Sequence, residues 1–377
     1  MSERRGIARF VPWRTLTAIA VLLLVMRVFF CTRLRVPTGS MEPLLHGDPA
    51  SGDELLVVRT PAFLRGLMAP ERGDLVVFER SGAAVAHDER VAVKRVWATG
   101  GEAIRIEAGD LFVRPAGGEE ARVTKEYAEF RPWLVALHHE RFAAERLEAG
   151  SDALSLAENV AFDDGWLEES GARHDGRMPV RDLLFVVELT PATHDSAFAF
   201  AFLLGGAEHR WTFAPRAAGH EITLARRRLA TGQSEEWRVA VAAVAPGVPH
   251  DFEFWHVDGQ VGCAIDGSVQ TTVGIAESEA VLVLGDAVRG VALEVGSGAV
   301  TLTRLAVWRD LHFTEPADAS FAGGGEPYAI PDGALFVLGD RSSDSIDSRY
   351  FGAIPGTSVL GVPVAIVGPA GRRRLLR

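Results

Sequence analysis

Apolar and polar positions divide the chain into three zones. The first is an apolar run, Leu16-Thr17-Ala18-Ile19-Ala20-Val21-Leu22-Leu23-Leu24-Val25-Met26, interrupted by Arg27 and resumed in Val28-Phe29-Phe30-Cys31. The second holds short apolar runs introduced by turn residues: Asp53-Glu54-Leu55-Leu56-Val57-Val58, Gly73-Asp74-Leu75-Val76-Val77-Phe78 and Val91-Ala92-Val93-Lys94-Arg95-Val96-Trp97. Each reads as a strand. A further run, Ala334-Leu335-Phe336-Val337-Leu338, follows the turn Pro331-Asp332-Gly333 near the C-terminus. The third zone lies between these runs. It opens on a helix-like stretch at 133–147 and continues with strand-like runs at 183–189, 197–204, 209–213, 221–225, 237–244, 251–257, 261–265, 280–284, 291–295 and 300–308. Asp258-Gly259 and Asp266-Gly267 have the composition of tight hairpin turns. About ten strands at regular spacing predict a β-sandwich or jelly roll.

The N-terminal run has the layout of a membrane anchor. Arg4, Arg5, Arg9 and Arg14 precede it, as in a secretory signal. Phe29, Phe30, Arg33 and Arg35 follow it, however, where a cleavable signal needs small residues, and bulky Phe30 before Cys31 does not fit a lipoprotein site. The expectation is an uncleaved span over 15–32, near the lower length for crossing hydrocarbon, with Arg27 snorkelling at its outer end. Arginines flank both ends, and the charge rule tips the N-terminus inside. The plainer alternative is a buried core helix, which seldom sits between arginine clusters at a chain end.

Composition narrows the function classes. A net charge of −11 over 377 residues argues against a general nucleic-acid binder. The two cysteines, Cys31 and Cys263, lie far apart, one of them in the apolar segment, and no disulfide between them is expected.

Two residues invite a chemical reading. Ser40 stands in Val36-Pro37-Thr38-Gly39-Ser40-Met41-Glu42-Pro43, a turn constrained by prolines and glycine. Such a serine is by default a turn residue. As a nucleophile it needs a base nearby in space. Lys94 shares a strand face with Ala92 and Val96 while Arg95 points the other way. Desolvation on that apolar face would lower its pKa toward the range of a working base. The bland alternative is an edge-strand lysine that discourages aggregation. Other nucleophile and metal patterns fail: there is no G-x-S-x-G elbow and no H-E-x-x-H helix. The polar stretch from Asp340 to Phe351 looks like an EF-hand loop, but Ser345 replaces the turn glycine and Phe351 the closing glutamate.

Taken in order, P-T-G-S-M-E-P (37–43), G-D-L-V-V-F (73–78), V-K-R-V (93–96) and L-G-D…S-I-D-S-R-Y-F-G (338–352) resemble the boxes of bacterial type I signal peptidase. An anchor directly before the first box is that family's layout. The resemblance covers about residues 10–125 and 325–370. It implies a Ser–Lys dyad in which Ser40 attacks the scissile carbonyl and neutral Lys94 takes its proton. It also implies an oxyanion hole from the Thr38 hydroxyl and the Ser40 N–H, Ser345 orienting the lysine amine, and an Asp347–Arg349 ion pair bracing the site. Leu44 stands where the family usually has threonine, Arg341-Ser342 where it has Asn-Arg, and Gly100-Gly101-Glu102 where it has Pro-Gly-Asp.

The middle zone resembles a concanavalin-type lectin or laminin-G sandwich, on pattern alone. It would either bind a glycan, cell-wall polymer or exported protein, or prop and shield the protease. Trp211, Trp237, Trp255 and Trp308 read as core aromatics. The expected chain is therefore mainly β. It comprises a cytoplasmic N-terminus (1–14), a transmembrane helix (15–32), a catalytic domain in two parts (36–126 and 325–370), an inserted jelly-roll-like sandwich with a helical entry (127–324), and a basic tail (371–377). The tail's Arg372-Arg373-Arg374 would touch anionic lipid or simply be solvated. The expected activity is a single-pass serine endopeptidase of the cytoplasmic membrane, its catalytic domain outside, removing signal peptides from exported preproteins. It needs no metal or organic cofactor and no nucleic-acid partner. The alternatives are an inactive membrane-tethered protein that binds through its sandwich, and an intracellular self-cleaving repressor-type protease. The anchor and the lack of an N-terminal DNA-binding helix pair argue against the second.

Overall fold

The computed structural model describes residues 31–59, 69–80, 90–125, 127–130, 134–157, 160, 162–168, 170–275 and 288–376. Their structure is mainly β, with helices of only three or four residues. The expected span at 15–32 lies outside the described residues except for its last two. Cys31 and Thr32 are strand residues, paired with Val58 and Val57. The helix expectation is therefore corrected at its end: Arg33-Leu34-Arg35 alternates with period two, and the pairing with Glu54–Arg59 carries that alternation back to Cys31. Among the described residues no helix is long and apolar enough to cross a membrane.

An eight-stranded sheet gathers both ends of the described chain. Its order is Cys31–Arg35, Glu54–Arg59, Val359–Gly368, Leu75–Glu79, Val91–Thr99, Ala334–Leu338 and Ile354–Pro355, with Arg374–Leu375 added beside Val359–Gly368. Leu55, Val57, Leu75, Val77, Val93 and Ile366 pack on one side with Met41 and Leu45. Val76, Phe78, Val96, Leu335 and Val337 pack on the other. Strands buried on both faces read as continuous apolar runs, as these do in the sequence. A four-stranded sheet (Tyr328–Ala329, Ala103–Glu107, Asp110–Arg114, Ala121–Arg122) lies beyond it.

Residues 135–309 supply two six-stranded sheets. One runs Ser268–Gly274, Gln260–Ile265, His250–Val257, Leu183–Pro191, Ala299–Arg309, Val135–Glu148. The other runs Ser234–Val241, His220–Arg228, Ala207–Pro215, Ala197–Leu204, Arg289–Ser297, Leu154–Ser155. They share a core in which the alternating Phe198, Phe200 and Phe202 meet Phe185, Trp211, Phe252 and Phe254. Phe200 alone is worth about 1.5–3 kcal/mol of burial. Both Asp-Gly pairs are hairpin turns, with positive φ at Asp258, Gly259, Asp266 and Gly267, the requirement of a type I′ turn. Trp211 and Trp255 are buried, and Trp237 and Trp308 half-buried.

Two expectations for this segment change. The helical entry at 133–147 is a strand, Val135–Glu148, paired along Ala299–Arg309. Its Ala143-Ala144-Glu145-Arg146 favours helix locally, but cross-strand pairing outweighs so weak a preference. Arg141 pairs Arg304 and Glu145 pairs Leu302, so Phe142, Ala143 and Ala144 bulge opposite Thr303 alone, with Ala144 at φ 52°. The polar strand Ser268–Gly274 was not expected. The run at 280–284 lies outside the described residues.

Candidate active site

Ser40 sits in a single 3-10 turn, Gly39–Met41, whose Met41 is anchored in the core. The turn is closed from behind by Gly47. A Cβ there would fall 1.8 Å from the Thr38 carbonyl oxygen, so only glycine fits.

Lys94 comes from the middle of Val91–Thr99, opposite Val76. Ala92, Val76 and Val96 all belong to the apolar cluster on that side of the sheet. Lys94 is 3% exposed, and its amine donates to the Ser40 hydroxyl. It also donates to Ser345 Oγ at 3.0 Å. Burial pushes the lysine pKa down from its ordinary 10.5 to about 8; Asp347 opposes the fall and Arg349 adds to it. Lys94 is thus partly neutral near physiological pH.

Ser345 arrives on the loop after Ala334–Leu338. Its hydroxyl donates to Asp347 Oδ2 at 2.7 Å while accepting from Lys94, so its lone pair is aimed at the amine. Asp347 also accepts the Gly339 N–H at 3.0 Å and receives Arg349 through two nitrogens, at 2.9 and 2.8 Å. Both members of this ion pair are almost fully buried. Arg349 Nη1 donates to Thr314 O (2.7 Å), Thr314 Oγ1 (2.9 Å) and Ser342 Oγ (2.7 Å), and Nη2 also donates to Ser342 O (2.8 Å). A buried charge is tolerable when its donors are satisfied in this way. The Thr38 hydroxyl, on an exposed residue, lies 3.4 Å from Ser40 Oγ.

The structure brings Thr38, Ser40, Lys94, Ser345, Asp347 and Arg349 together. It adds a pair the sequence reading did not find, Arg95 with Asp340, at 2.9 and 2.6 Å. Alternation placed Arg95 opposite Lys94; a buried arginine then demands a carboxylate, and the aspartate of Leu338-Gly339-Asp340 was the available signal. The sequence departures are absorbed locally. Ser342 accepts from Arg349 and from the Thr314 N–H. Glu102 receives the Thr99 N–H and pairs with Arg72. Leu44 packs, partly buried, against the core that holds Met41 and Leu45. Among the described residues no cluster of His, Cys, Asp or Glu is placed to hold a metal.

The arrangement is a hydroxyl, a desolvated amine and an orienting hydroxyl in hydrogen-bonded series, the parts of acyl transfer by an activated serine. Among curated proteins, a probable signal peptidase I-2 of Synechocystis sp. is 30% identical over 101 residues, 26% of this chain and 43% of that protein. The chain thus spans less than half the length of this relative. Solved structures with similarity include the Caenorhabditis elegans galectin LEC-6 (11% identity, TM-score 0.28, 43% of this chain and 94% of that one). Another is the Pyrococcus furiosus endo-β-1,3-glucanase (11% identity, TM-score 0.27, 35% and 63%). The family profile described as signal peptidase, peptidase S26, matches residues 9–156 and 297–367, on both sides of the middle segment. The chain belongs to the signal peptidase family, peptidase S26.

Proposed function

We propose that this protein is a membrane-bound serine endopeptidase that removes N-terminal signal peptides from exported preproteins. The observation that carries the reading is the hydrogen bond between the Ser40 hydroxyl and the buried, desolvated Lys94 amine. Neutral Lys94 takes the Ser40 proton as Oγ attacks the scissile carbonyl. The Thr38 hydroxyl and Ser40 N–H hold the oxyanion that forms. The resulting ammonium returns the proton to the leaving amine, and the C–N bond breaks to leave an ester on Ser40. A water molecule, deprotonated by the same amine, then releases the acid and regenerates the hydroxyl. Ser345 keeps the amine aimed at Ser40, and Asp347–Arg349 keeps Ser345 aimed at the amine.

The apolar segment before Cys31 serves as the anchor, with the N-terminus inside and the catalytic unit outside. Ser40 comes nine positions after Cys31, which sets the nucleophile near the bilayer surface where a signal peptide's cleavage site emerges. Residues 36–126 and 325–370 form the catalytic unit, with 127–324 inserted between them. By the family's implication, substrates carry small residues at the first and third positions before the cut. The test is cleavage of a preprotein by detergent-purified protein: Ser40→Ala and Lys94→Ala should each abolish it. Undiminished cleavage by either variant sinks the dyad.

A further inference from the structure

Glu42, two residues past Ser40, folds back over the turn. A Cβ on Gly39 would meet the Glu42 carboxylate carbon at 2.9 Å, so this carboxylate lies against the main chain beside the nucleophile. Left alone, such a charge opposes the negative charge that must build on an oxyanion there. It is not left alone. Arg341 Nη1 donates to Glu42 Oε2 at 3.0 Å, and His46 Nδ1 lies 3.2 Å from Oε1. The Arg341 backbone N–H donates to the Ser40 carbonyl at 3.1 Å. One residue therefore grips the turn on both sides of Met41, by main chain and by side chain. Arg341 also opens the short helical turn Ser342–Asp344 that leads into Ser345.

The guanidinium is held in turn by the middle segment. It lies over the Trp166 ring, 4.7 Å from the centroid. Trp166 is buried and stacks on His174 at 4.3 Å and 6° between planes, and His174 is fixed by Glu168 at 2.6 Å. Trp166 and His174 face each other across the two-stranded ribbon Trp166–Leu167/Arg173–His174. Buried Arg309, from the strand Ala299–Arg309, ties down the ribbon's base by donating to Asp164 O and Gly165 O, both at 2.7 Å.

We propose that Arg341 is a positioning residue: it holds the nucleophile turn in register with the Ser345 loop and cancels the Glu42 charge, and Trp166 of the middle segment holds Arg341. The catalytic half of this rests on the peptidase reading above; the mechanical half does not. Position 341 is one of the sites where the chain departs from the family boxes, and the ribbon that supports it lies in the segment the family profile passes over. The long middle segment is on this account part of the active site's framework.

The experiment uses the full chain in detergent with R341A, R341K, W166A and the double variant E42Q/R341A. Amide hydrogen exchange is read over residues 39–46, alongside kcat and KM for a preprotein. R341A should speed exchange in that window about tenfold or more, and W166A by less. R341A should lower kcat by about 10–100-fold with KM within about twofold, the pattern of a contact felt in the transition state. R341K should restore part of kcat, and E42Q should restore part of it in the R341A background, which a merely structural arginine would not allow. Unchanged exchange and kcat in R341A overturn the proposal, and no recovery in E42Q/R341A overturns its electrostatic half. If wild type cleaves no preprotein while R341A still loosens the turn, the peptidase reading fails and the positioning role stands.

Discussion

Arg95 and Asp340 meet in a bidentate ion pair, each side chain 2% exposed, across 245 residues of sequence. The pair fastens the lysine strand to the loop that carries Ser345, since Arg95 adjoins Lys94 and Asp340 adjoins Gly339. Removing one partner strands a charge in the interior, at a cost of about 3–5 kcal/mol. D340A and R95A should each lower the denaturant midpoint accordingly. The double variant R95M/D340L, which strands nothing, should recover much of the loss. Equal losses in single and double variants would contradict the account.

With Lys94 as the proposed base, activity should rise with pH. Its folded pKa is lowered to about 8. The competent amine is neutral, so kcat/KM should climb about tenfold per pH unit below pH 8 and level off above it. A flat profile between pH 6 and 8 would sink the base.

The same shift has the opposite sign in stability. The unfolded lysine holds its proton up to about 10.5 and the folded one releases it near 8. Below pH 8 both states bind the proton and burial of the ammonium costs about 3 kcal/mol; between 8 and 10.5 stability rises with pH as the cost disappears. K94M should therefore be more stable than wild type at pH 7, with the difference fading by pH 11. Chemical denaturation at the two pH values reads this directly.

Gly339 admits no side chain. A Cβ would fall 2.2 Å from Ser345 Oγ and 2.5 Å from the Ser40 carbonyl oxygen. G339A should force the two serines apart, lowering kcat by about a hundredfold while costing about 1–3 kcal/mol of stability, as overpacking does. Full activity in G339A would show that the dyad tolerates the displacement.

Phe200 lies in the middle segment's core, 4.9 Å from Phe254 and 5.2 Å from Phe185 between ring centres. Its truncation to alanine should cost about 3–5 kcal/mol. Calorimetry should show the loss. A change of under about 1 kcal/mol would mean that the core closes over the cavity.

How much of this was legible in the sequence depends on the distance over which each feature acts. Local patterns, a glycine-proline turn and a lysine on an apolar strand face, make Ser40 and Lys94 candidates, and only the four boxes taken in order join them as a dyad. The strands of the eight-stranded sheet are apolar runs because both faces are buried. Arg95 could be placed on a face but not paired, because its partner depends on register across 245 residues. The strand Val135–Glu148 reads as a helix in the sequence because Ala143-Ala144-Glu145-Arg146 has helical preference, and a bulge there breaks the alternation that marks a strand. Ser268–Gly274 is an edge strand with polar residues and carries little periodic signal. The hold of Trp166 on Arg341 left no trace at all, because a cation over a ring has no spacing rule.

Ser345 comes 251 residues after the lysine it hydrogen-bonds, and the sheet that carries Lys94 takes Ala334–Leu338 and Val359–Gly368 from the last tenth or so of the chain. Time therefore enters the design. During synthesis the hydroxyl and the amine are made early, yet they lack their third member until the C-terminal strands arrive. Chains stalled at residue 330 should leave Ser40 unlabelled by an acylating probe that marks the finished protein. On the peptidase reading, a chain built this way should stay silent until those strands have paired.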